Sequence, residues 1–243
     1  MNWKQFDQNR WQFLKYGRRE FRRALSKQVR QATQSLKDRG TEETLSSLNF
    51  IVDEEPMYNA YKRVYLRVGG YFGRETFRQY AKSDTDPWVH AVLGWLEDKG
   101  AEKVSAVTET TRSAIKREIV KGVGDGLGID DIANNMRKAV GGLKRAELIA
   151  RTEIISASNL GSLEGARSTG LPMKKKWLST PDGRTRGRNP EDRFNHTSVK
   201  PVDTLDSLFI VSGEELAYPG DGSHGASLGN IIQCRCAIGY EPY

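Results

Sequence analysis

The sequence is poor in cysteine, in histidine and in long apolar runs, and each shortage excludes a class of protein. Only two cysteines, Cys234 and Cys236, and three histidines occur among 243 residues. A disulfide across one intervening residue is geometrically poor, so a disulfide scaffold is excluded. No apolar run approaches the roughly 18 residues of a membrane span, and the first residues lack a charged-then-apolar signal layout. We therefore expect a soluble protein that is made in a cytoplasm and has no membrane partner.

Positive charge is plentiful but local. The formal net charge is +7, and residues 1–30 alone hold nine Lys and Arg against Asp7 and Glu20. Residues 171–200 hold eight Lys and Arg against three acids, whereas residues 201–243 hold one Arg against six acids. Local basic surface suits contact with phosphates or with an acidic protein pocket. A solvated helix face and a solvated loop are the alternative interpretation.

Helical periodicity dominates the chain up to about residue 170. Apolar positions from Trp11 to Leu36 predict a long first helix that ends at Gly40, followed by a polar stretch over residues 41–55. Pro56 is placed to begin a helix whose aromatic stripe, from Tyr58 to Tyr80, is interrupted by Gly69 and Gly70. Further helices are predicted from Asp86-Pro87 to Asp98, around residues 104–119, from Asp130 to Val140 and from Leu143 to Arg167.

Beyond residue 171 the pattern changes to short apolar runs between Gly, Pro and Asp, at residues 175–179, 207–211 and 230–240. We therefore predict an α+β protein, with a mainly helical N-terminal two-thirds and a small C-terminal strand-containing, loop-rich module. The predicted domains are a basic amphipathic N-terminal helix with its linker (residues 1–55), a helical region (56–171) and the small module (172–243).

The first predicted helix carries a basic face opposite its apolar stripe. An amphipathic helix of this kind is typical of a docking element, although it could simply cover a core. The face that we assign to a partner or to DNA consists of Arg18, Arg19, Arg22, Arg23, Lys27 and Arg30.

Several residues of the C-terminal region are suited to holding a metal. Two thiolates and an imidazole, from Cys234, Cys236 and His196, are good zinc ligands, and Asp182 or His224 could complete a tetrahedron. The Cys-x-Cys spacing lacks the two-residue gap of common zinc knuckles. If the two thiols lie on one strand face, both could equally be small buried side chains. No cofactor is therefore predicted beyond a possible zinc ion.

Arginines are expected to stiffen this region, because a guanidinium has five donors that can clamp carbonyls or pair with acids. Arg184 and Arg186 could pair with acids such as Asp221. A catalytic role for these arginines would need a nearby nucleophile or base, and the sequence presents none. No catalytic residue is predicted.

Three co-linear segments carry a family resemblance. ARTE with a downstream Asn and Gly (Arg151 to Gly161), Trp177 followed by a D-x-R-T-R loop (Asp182 to Arg186) and His196, and a final C-R-C (Cys234 to Cys236) occur in this order. Together they resemble the head-morphogenesis domain of phage minor head proteins, the Mu F-like family, over roughly residues 104–236. We expect the following residues to form a structural cluster: Arg151, Glu153, Trp177, Asp182, Arg184, Arg186, His196, Asp221 and Arg235.

The resemblance implies a non-catalytic structural protein of a bacteriophage virion, located in the head interior or at the portal vertex. Its implied partners are the portal protein, the major capsid or scaffolding protein and possibly packaged DNA, with a role in head assembly, DNA packaging or DNA delivery. Two other functions stay open. One is a metal-dependent nuclease or hydrolase that uses His196 and the C-terminal cysteines, and the other is a nonspecific DNA-binding protein.

Overall fold

The computed structural model describes residues 3–81 and 88–243. Nine helices and four short strands lie in these two ranges. The helices are α1 (Trp3–Trp11), α2 (Leu14–Ser46), α3 (Leu48–Ile51), α4 (Glu55–Ala81), α5 (Trp88–Asp98), α6 (Gly100–Gly124), α7 (Ile129–Ala139), α8 (Leu143–Arg167) and α9 (Leu228–Ile231). The strands are β1 (Met173–Leu178), β2 (Phe209–Val211), β3 (Glu214–Leu216) and β4 (Ala237–Pro242). The predicted α+β class, helical first and strand-containing last, is confirmed.

Several element boundaries differ from those predicted. A break at residues 12–13 separates α1 from α2, so the predicted first helix is two helices. Gly40, at φ 77° and ψ −176°, interrupts α2 but is not its end, as had been predicted, since most of the polar stretch after it is helical in α2 and α3. The predicted start at Asp86-Pro87 lies outside the described residues. Residues 228–231 form a short helix, so only the last part of the run 230–240 is a strand.

The chain divides into two compact units, each built from discontinuous segments. Unit 1 comprises residues 1–15, 64–95 and 151–243, and unit 2 comprises residues 16–63 and 96–150. The domain boundaries predicted after residues 55 and 171 stay predictions.

Unit 2 is helical, and its core follows the predicted apolar stripes. Phe21, Leu25, Val29 and Leu36 of α2 are all buried, and Phe21 meets the ring of Tyr61 edge-on at 5.2 Å. The charges at both ends of α7 complement the helix dipole and so stabilise the helix. Asp130 and Asp131 lie in its first turn, and Arg137 and Lys138 lie in its last turn. Its apolar positions Ile132 and Met136 are buried as predicted.

A close glycine contact joins α4 and α8 in unit 1. A Cβ atom built on Gly161 would lie 2.1 Å from the carbonyl oxygen of Gly69, and one on Gly165 would lie 2.3 Å from that of Gly73. The two glycine pairs, each spaced by four residues, therefore let the helix backbones touch, as small residues do at close helix crossings. The α4 helix continues through Gly69 and Gly70, the two glycines that interrupt its aromatic stripe.

The strands of unit 1 form two small antiparallel sheets, β1 with β4 and β2 with β3. In the first sheet Met173 pairs with Pro242 and Leu178 with Ala237. A long irregular segment, residues 179–208, separates β1 from β2. A buried apolar cluster, to which both sheets contribute, consists of Trp177, Phe209, Val211, Leu216, Cys234 and Cys236.

Candidate functional site: a buried histidine and two thiols

Three potential ligand atoms from distant parts of the sequence converge in unit 1. The Nδ1 atom of His196 lies 3.5 Å from the Sγ atom of Cys234 and 3.6 Å from that of Cys236. All three donor atoms lie within 4.8 Å of one another, and all three residues are buried. Both cysteines are free thiols. The structure therefore brings together the three residues that the sequence had indicated as zinc ligands.

The cysteines reach this point from irregular backbone and not from a strand. Residues 234–236 lie immediately before β4, and Cys234 donates its backbone N–H to the carbonyl of Ile231 at 3.2 Å. His196 is held by its backbone N–H, which donates to the carbonyl of Arg186 at 2.9 Å. After it, the Asn195 side chain accepts the N–H groups of Thr197 and Ser198 at 2.9 and 3.2 Å, a local turn that asparagine favours.

The tautomer of His196 follows from its other neighbour. Its Nε2 atom lies 2.6 Å from the Oδ1 atom of Asn230. The amide nitrogen of Asn230 donates to the carbonyl of Val211 at 3.1 Å and to the Glu214 carboxylate at 2.9 Å, which fixes the amide orientation. Because Oδ1 can only accept, Nε2 carries a proton, and in the neutral form of the ring that this hydrogen bond favours, the Nδ1 lone pair points at the two sulfurs.

Glu214 anchors this relay. Its Oε2 atom also accepts the backbone N–H of Ser227 at 2.9 Å and the Ser227 hydroxyl at 3.1 Å. The hydrogen bond from Asn230 lowers the pKa of Glu214, against a smaller opposing effect of burial, and the bonds from Ser227 lower it further. A charged carboxylate thus orients Asn230, which in turn orients His196.

The two thiols influence each other strongly. A hydrogen bond from Cys236 lowers the pKa of Cys234 well below the usual value in spite of burial. The same contact, together with burial, raises the pKa of Cys236 well above the usual value. The pair therefore releases one proton readily and retains the other.

Arg10 of α1 holds the backbone of the Cys-Arg-Cys segment. The side chain is only 1% exposed. Its Nη1 atom donates to the carbonyl of Arg235 at 3.0 Å, and its Nη2 atom donates to the carbonyl of Cys236 at 2.9 Å. It also donates to the Oδ1 atom of Asn159 at 2.9 Å and, through Nε, to the Ser158 hydroxyl at 2.7 Å. Burial lowers the pKa of Arg10 to about 10, although Asp7 and the two cysteines oppose the shift.

Sequence reasoning did not single out Arg10, because it is one of nine basic residues in the first thirty. Asn230 and Glu214 were missed for a similar reason, since each is an ordinary polar residue in a loop-rich region. In each case only the fold shows which partners the side chain meets.

The ARTE segment lies on α8 and faces other parts of unit 1. The guanidinium of Arg151 lies 5.3 Å from the ring centroid of Trp11, and the buried carboxylate of Glu153 accepts the Tyr65 hydroxyl at 2.7 Å. The Asn159 amide donates to the carbonyls of Pro219 and Cys236 at 2.8 and 3.2 Å. Asn159 thereby links α8 to the loop after β3 and to the Cys-Arg-Cys segment. Arg151 and Glu153 belong to the same unit as the thiols, where Arg151 contacts α1 and Glu153 contacts α4.

The D-x-R-T-R loop is tied to the Cys-Arg-Cys segment by charge. Arg235 donates to the Asp182 carboxylate, which also accepts the backbone N–H of Arg184 at 3.1 Å. Burial opposes ionisation of Asp182, but the hydrogen bonds from Arg235 and Arg184 outweigh it and lower its pKa. Arg186 clamps the carbonyl of Ile232 at 2.6 Å, as an arginine in this loop was expected to do.

Asp221 has a different role from the predicted one. Its carboxylate accepts the backbone N–H of Ala217 at 2.8 Å, the Ser223 hydroxyl at 2.6 Å and His224 Nδ1 at 3.0 Å. The pairing of Asp221 with Arg184 or Arg186, which the sequence had left possible, does not occur in the described ranges. This fully buried carboxylate instead closes its own turn.

A cleft of about 660 Å³ opens beside the His196, Cys234 and Cys236 cluster. All three residues line it, together with four arginines and one acid: Arg151, Arg184, Arg186, Arg235 and Asp7. Trp177, the aromatic residue of the structural cluster predicted from the sequence, meets the ring of His196 edge-on, with 5.4 Å between the ring centroids. The cleft is therefore cationic, with the thiols and the imidazole in its lining.

Comparison with known protein families shows which family the chain belongs to. The family model described as phage Mu protein F-like protein matches residues 113–238, slightly more than half of the sequence. The chain belongs to the phage Mu F-like family. This confirms the predicted family, and the matched segment contains His196, Cys234 and Cys236. No curated protein and no solved structure matches the chain.

Membership in the Mu F-like family makes the chain a phage head-related structural protein, which agrees in outline with the predicted virion location. Across the two described ranges, no helix of this Mu F-like protein is long and apolar enough to cross a membrane.

The predicted partner-binding face lies on α2, in unit 2. Arg19, Arg22, Arg23, Lys27 and Arg30 are exposed, and Arg18 is half-buried. Several members have acidic neighbours: Arg18 lies 3.5 Å from Glu147, and Arg23 lies 3.4 Å from the buried Glu20. Arg22 and Arg30 have no ion pair with any described residue. This basic face therefore presents net positive charge to solvent.

Proposed function

We propose that this Mu F-like protein is a minor head protein that binds the portal and the capsid interior and acts in head assembly, DNA packaging or DNA delivery. The observation that carries the proposal is the family match, which spans residues 113–238 and includes the C-terminal cluster. The predicted absence of catalysis belongs to the same proposal. A structural protein of this kind acts through shaped and charged surfaces, and two such surfaces lie in the part of the chain that the structure describes.

The first surface is the basic face of α2. Four of its exposed members are Arg22, Arg23, Lys27 and Arg30. Charges on the solvated face of a helix contribute little to folding when they are unpaired, but they steer association with an acidic partner. We assign this face to an acidic surface of the portal protein, with packaged DNA as a secondary contact.

The second surface is the arginine-lined cleft of unit 1. Arg184 is 80% exposed along its side chain and its guanidinium is available to a ligand, even though it contacts Asp182. Arginine forks match planar carboxylates and phosphates geometrically. This cleft therefore suits an acidic side chain or chain terminus of a capsid or scaffolding protein.

A binding experiment with matched charge variants tests the α2 assignment. The test variant carries Arg22, Arg23, Lys27 and Arg30 as Gln, and the control carries four other exposed bases of unit 2 as Gln: Lys116, Lys121, Lys138 and Lys144. Portal protein from the same phage is captured by each full-length chain at physiological salt. We expect the test variant to lose at least about 10-fold in affinity and the control to stay within about 2-fold. Equal capture by both variants would refute docking through α2.

Salt dependence separates the portal from DNA. Binding to DNA through several phosphate contacts weakens steeply as salt rises, by about 10³-fold or more between 50 and 200 mM for six contacts. Binding to a protein pocket that also buries apolar surface depends on salt far less. If duplex DNA captures the wild-type chain more tightly than portal protein does at physiological salt, DNA is the principal partner and the assignment is wrong.

Location is tested in the particle itself. Quantitative mass spectrometry of purified, DNA-filled heads should detect the chain in fewer copies than the major capsid protein. Its absence from both filled heads and empty procapsids would overturn the proposed role.

The non-catalytic character is tested by incubating the protein with supercoiled DNA and divalent metals. No nicking of the DNA should occur. Nicking by the wild-type protein that the His196→Ala variant loses would favour a nuclease.

A further inference from the structure

We propose that His196, Cys234 and Cys236 bind one zinc ion, with His196 coordinating through Nδ1 and the cysteines through their thiolates. The site goes beyond the proposed head function and does not depend on it. It has a structural role, which is to tie the loop around residue 196 to the C-terminal segment around residues 234–236.

The distances from the imidazole nitrogen to the two sulfurs are those of a tetrahedral zinc site. Zinc–sulfur bonds of about 2.3 Å and a zinc–nitrogen bond of about 2.0 Å, at a tetrahedral angle, place nitrogen and sulfur about 3.5 Å apart. The two nitrogen–sulfur distances are 3.5 and 3.6 Å. The donors are therefore preorganised, and a metal ion could bind with little rearrangement.

Hydrogen bonding alone accounts for only part of this arrangement. With Nε2 protonated towards Asn230, the imidazole of His196 has one lone pair, on Nδ1. That lone pair can accept from one thiol, and the other thiol can donate to its neighbouring sulfur, but neither bond requires both sulfurs to lie at nearly equal distances from Nδ1. A metal ion between the three atoms satisfies all of them at once.

The surroundings of His196 match those of a metal ligand. Zinc-bound histidines usually donate their second N–H to a carboxylate, carbonyl or similar acceptor, which fixes the ring and its tautomer. Here Asn230 is that acceptor, and the Glu214 carboxylate holds Asn230 in place. The relay from Glu214 through Asn230 to His196 thus aims an unprotonated nitrogen at the sulfurs.

The donor set selects the metal. Thiolate and imidazole ligands favour zinc over magnesium or calcium, which prefer oxygen. Neither of the other ligands considered from the sequence joins the cluster: Asp182 is bound by Arg235 and Arg184, and His224 is bound to Asp221. The three protein ligands line the cationic cleft, so we assign the fourth position to water or to an anionic group from the cleft side.

The fold explains why such an ion would be useful. Residues 179–208 are almost entirely irregular, and the nearby sheets have only two strands each. Small modules of this kind gain much of their stability from a bound metal when the apolar core is limited. A zinc ion would join two segments about forty positions apart in the chain, as the 38-residue separation of His196 and Cys234 shows.

Metal content tests the proposal directly. Untagged full-length protein, expressed in zinc-containing medium, is analysed by elemental mass spectrometry beside Cys234→Ser, Cys236→Ser and His196→Ala variants. The matched control is His224→Ala, which removes a histidine outside the cluster. We expect about one zinc per chain in the wild type and in the control, and less than about a tenth of that in the three ligand variants.

A second measurement keeps the test valid if the ligand variants fail to fold. Wild-type protein is stripped with a chelator and titrated with Co²⁺, where thiolate-to-cobalt charge-transfer absorption should appear at one equivalent and zinc should abolish it. Chelation should lower the thermal midpoint by about 10 °C, and zinc should restore it. A wild-type chain without stoichiometric metal and without the charge-transfer band would overturn the proposal, and another metal at full stoichiometry would overturn the choice of zinc.

Discussion

Replacement of Arg10 by Met should destabilise unit 1 strongly while leaving the exposed surface almost unchanged. Arg10 donates four hydrogen bonds from a buried position, two of them to the carbonyls of Arg235 and Cys236. Methionine has a similar length but no donor. The variant therefore removes the link between α1 and the Cys-Arg-Cys segment without opening a large cavity.

The magnitude follows from two opposing effects. Hydrogen bonds from a charged donor contribute about 1.5 kcal/mol each at the lower end, or about 6 kcal/mol for four. Burial opposes the charge, because it lowers the pKa of Arg10 from 12.5 to about 10, a cost of about 3 kcal/mol. The net loss on Arg10→Met should be about 3 kcal/mol, whereas Arg22→Met on the exposed face of α2 should change stability by less than about 0.5 kcal/mol.

Urea unfolding followed by tryptophan fluorescence measures this loss. All five tryptophans belong to unit 1, so the fluorescence reports on the unit that contains Arg10. With a denaturant slope of about 2 kcal/mol/M, the midpoint of Arg10→Met should fall by about 1.5 M. If the midpoints of Arg10→Met and Arg22→Met agree within error, the four hydrogen bonds do not stabilise the fold and the reasoning fails.

Two further variants test the fold and its electrostatics. Gly161→Ala should lower the free energy of unfolding by at least about 2 kcal/mol, because its Cβ atom would meet the backbone of Gly69. The control Gly70→Ala, in open space on α4, should raise the free energy of unfolding by about 0.5 kcal/mol. Similar urea midpoints for the two variants would contradict the close crossing of α4 and α8. Burial, aided by the positive charge of Arg167, lowers the pKa of Lys175 from 10.5 to about 8. Between pH 8 and pH 10.5, the unfolded chain therefore binds a proton at Lys175 that the folded chain has lost. Stability from this group should therefore rise with pH through that window, by up to about 3 kcal/mol, and a flat difference between wild type and Lys175→Met from pH 7 to pH 11 would disprove it.

The predicted helices came from patterns that tertiary context did not override. The apolar stripe of α2, with Phe21, Leu25 and Val29, is buried as predicted because a helix with one apolar face has few other ways to remove that face from water. The irregular C-terminal region was less predictable. Its short strands were located only approximately, and the segment holding Cys234 was expected on a strand although it precedes one.

The members of the candidate site were predictable in part. Cysteine and histidine are scarce in this chain and chemically distinctive, so Cys234, Cys236 and His196 could be named from the sequence. Arg10, Asn230 and Glu214 could not, because each residue type is common and is usually exposed. Their importance depends on burial and on partners as much as 226 positions away in the chain, as for Arg10 and Cys236.

The amino-acid sequence by itself determined the helical character of the first two-thirds, the family and the identity of three possible metal ligands. These properties depend on residue type and on short-range periodicity, which are readable along the chain. The tertiary structure alone decided which glycines let α4 and α8 touch, which arginine lies buried and which lone pair of His196 points at the sulfurs. Such features arise from contacts between distant segments, and their energies depend on distance and burial, which a linear pattern does not contain.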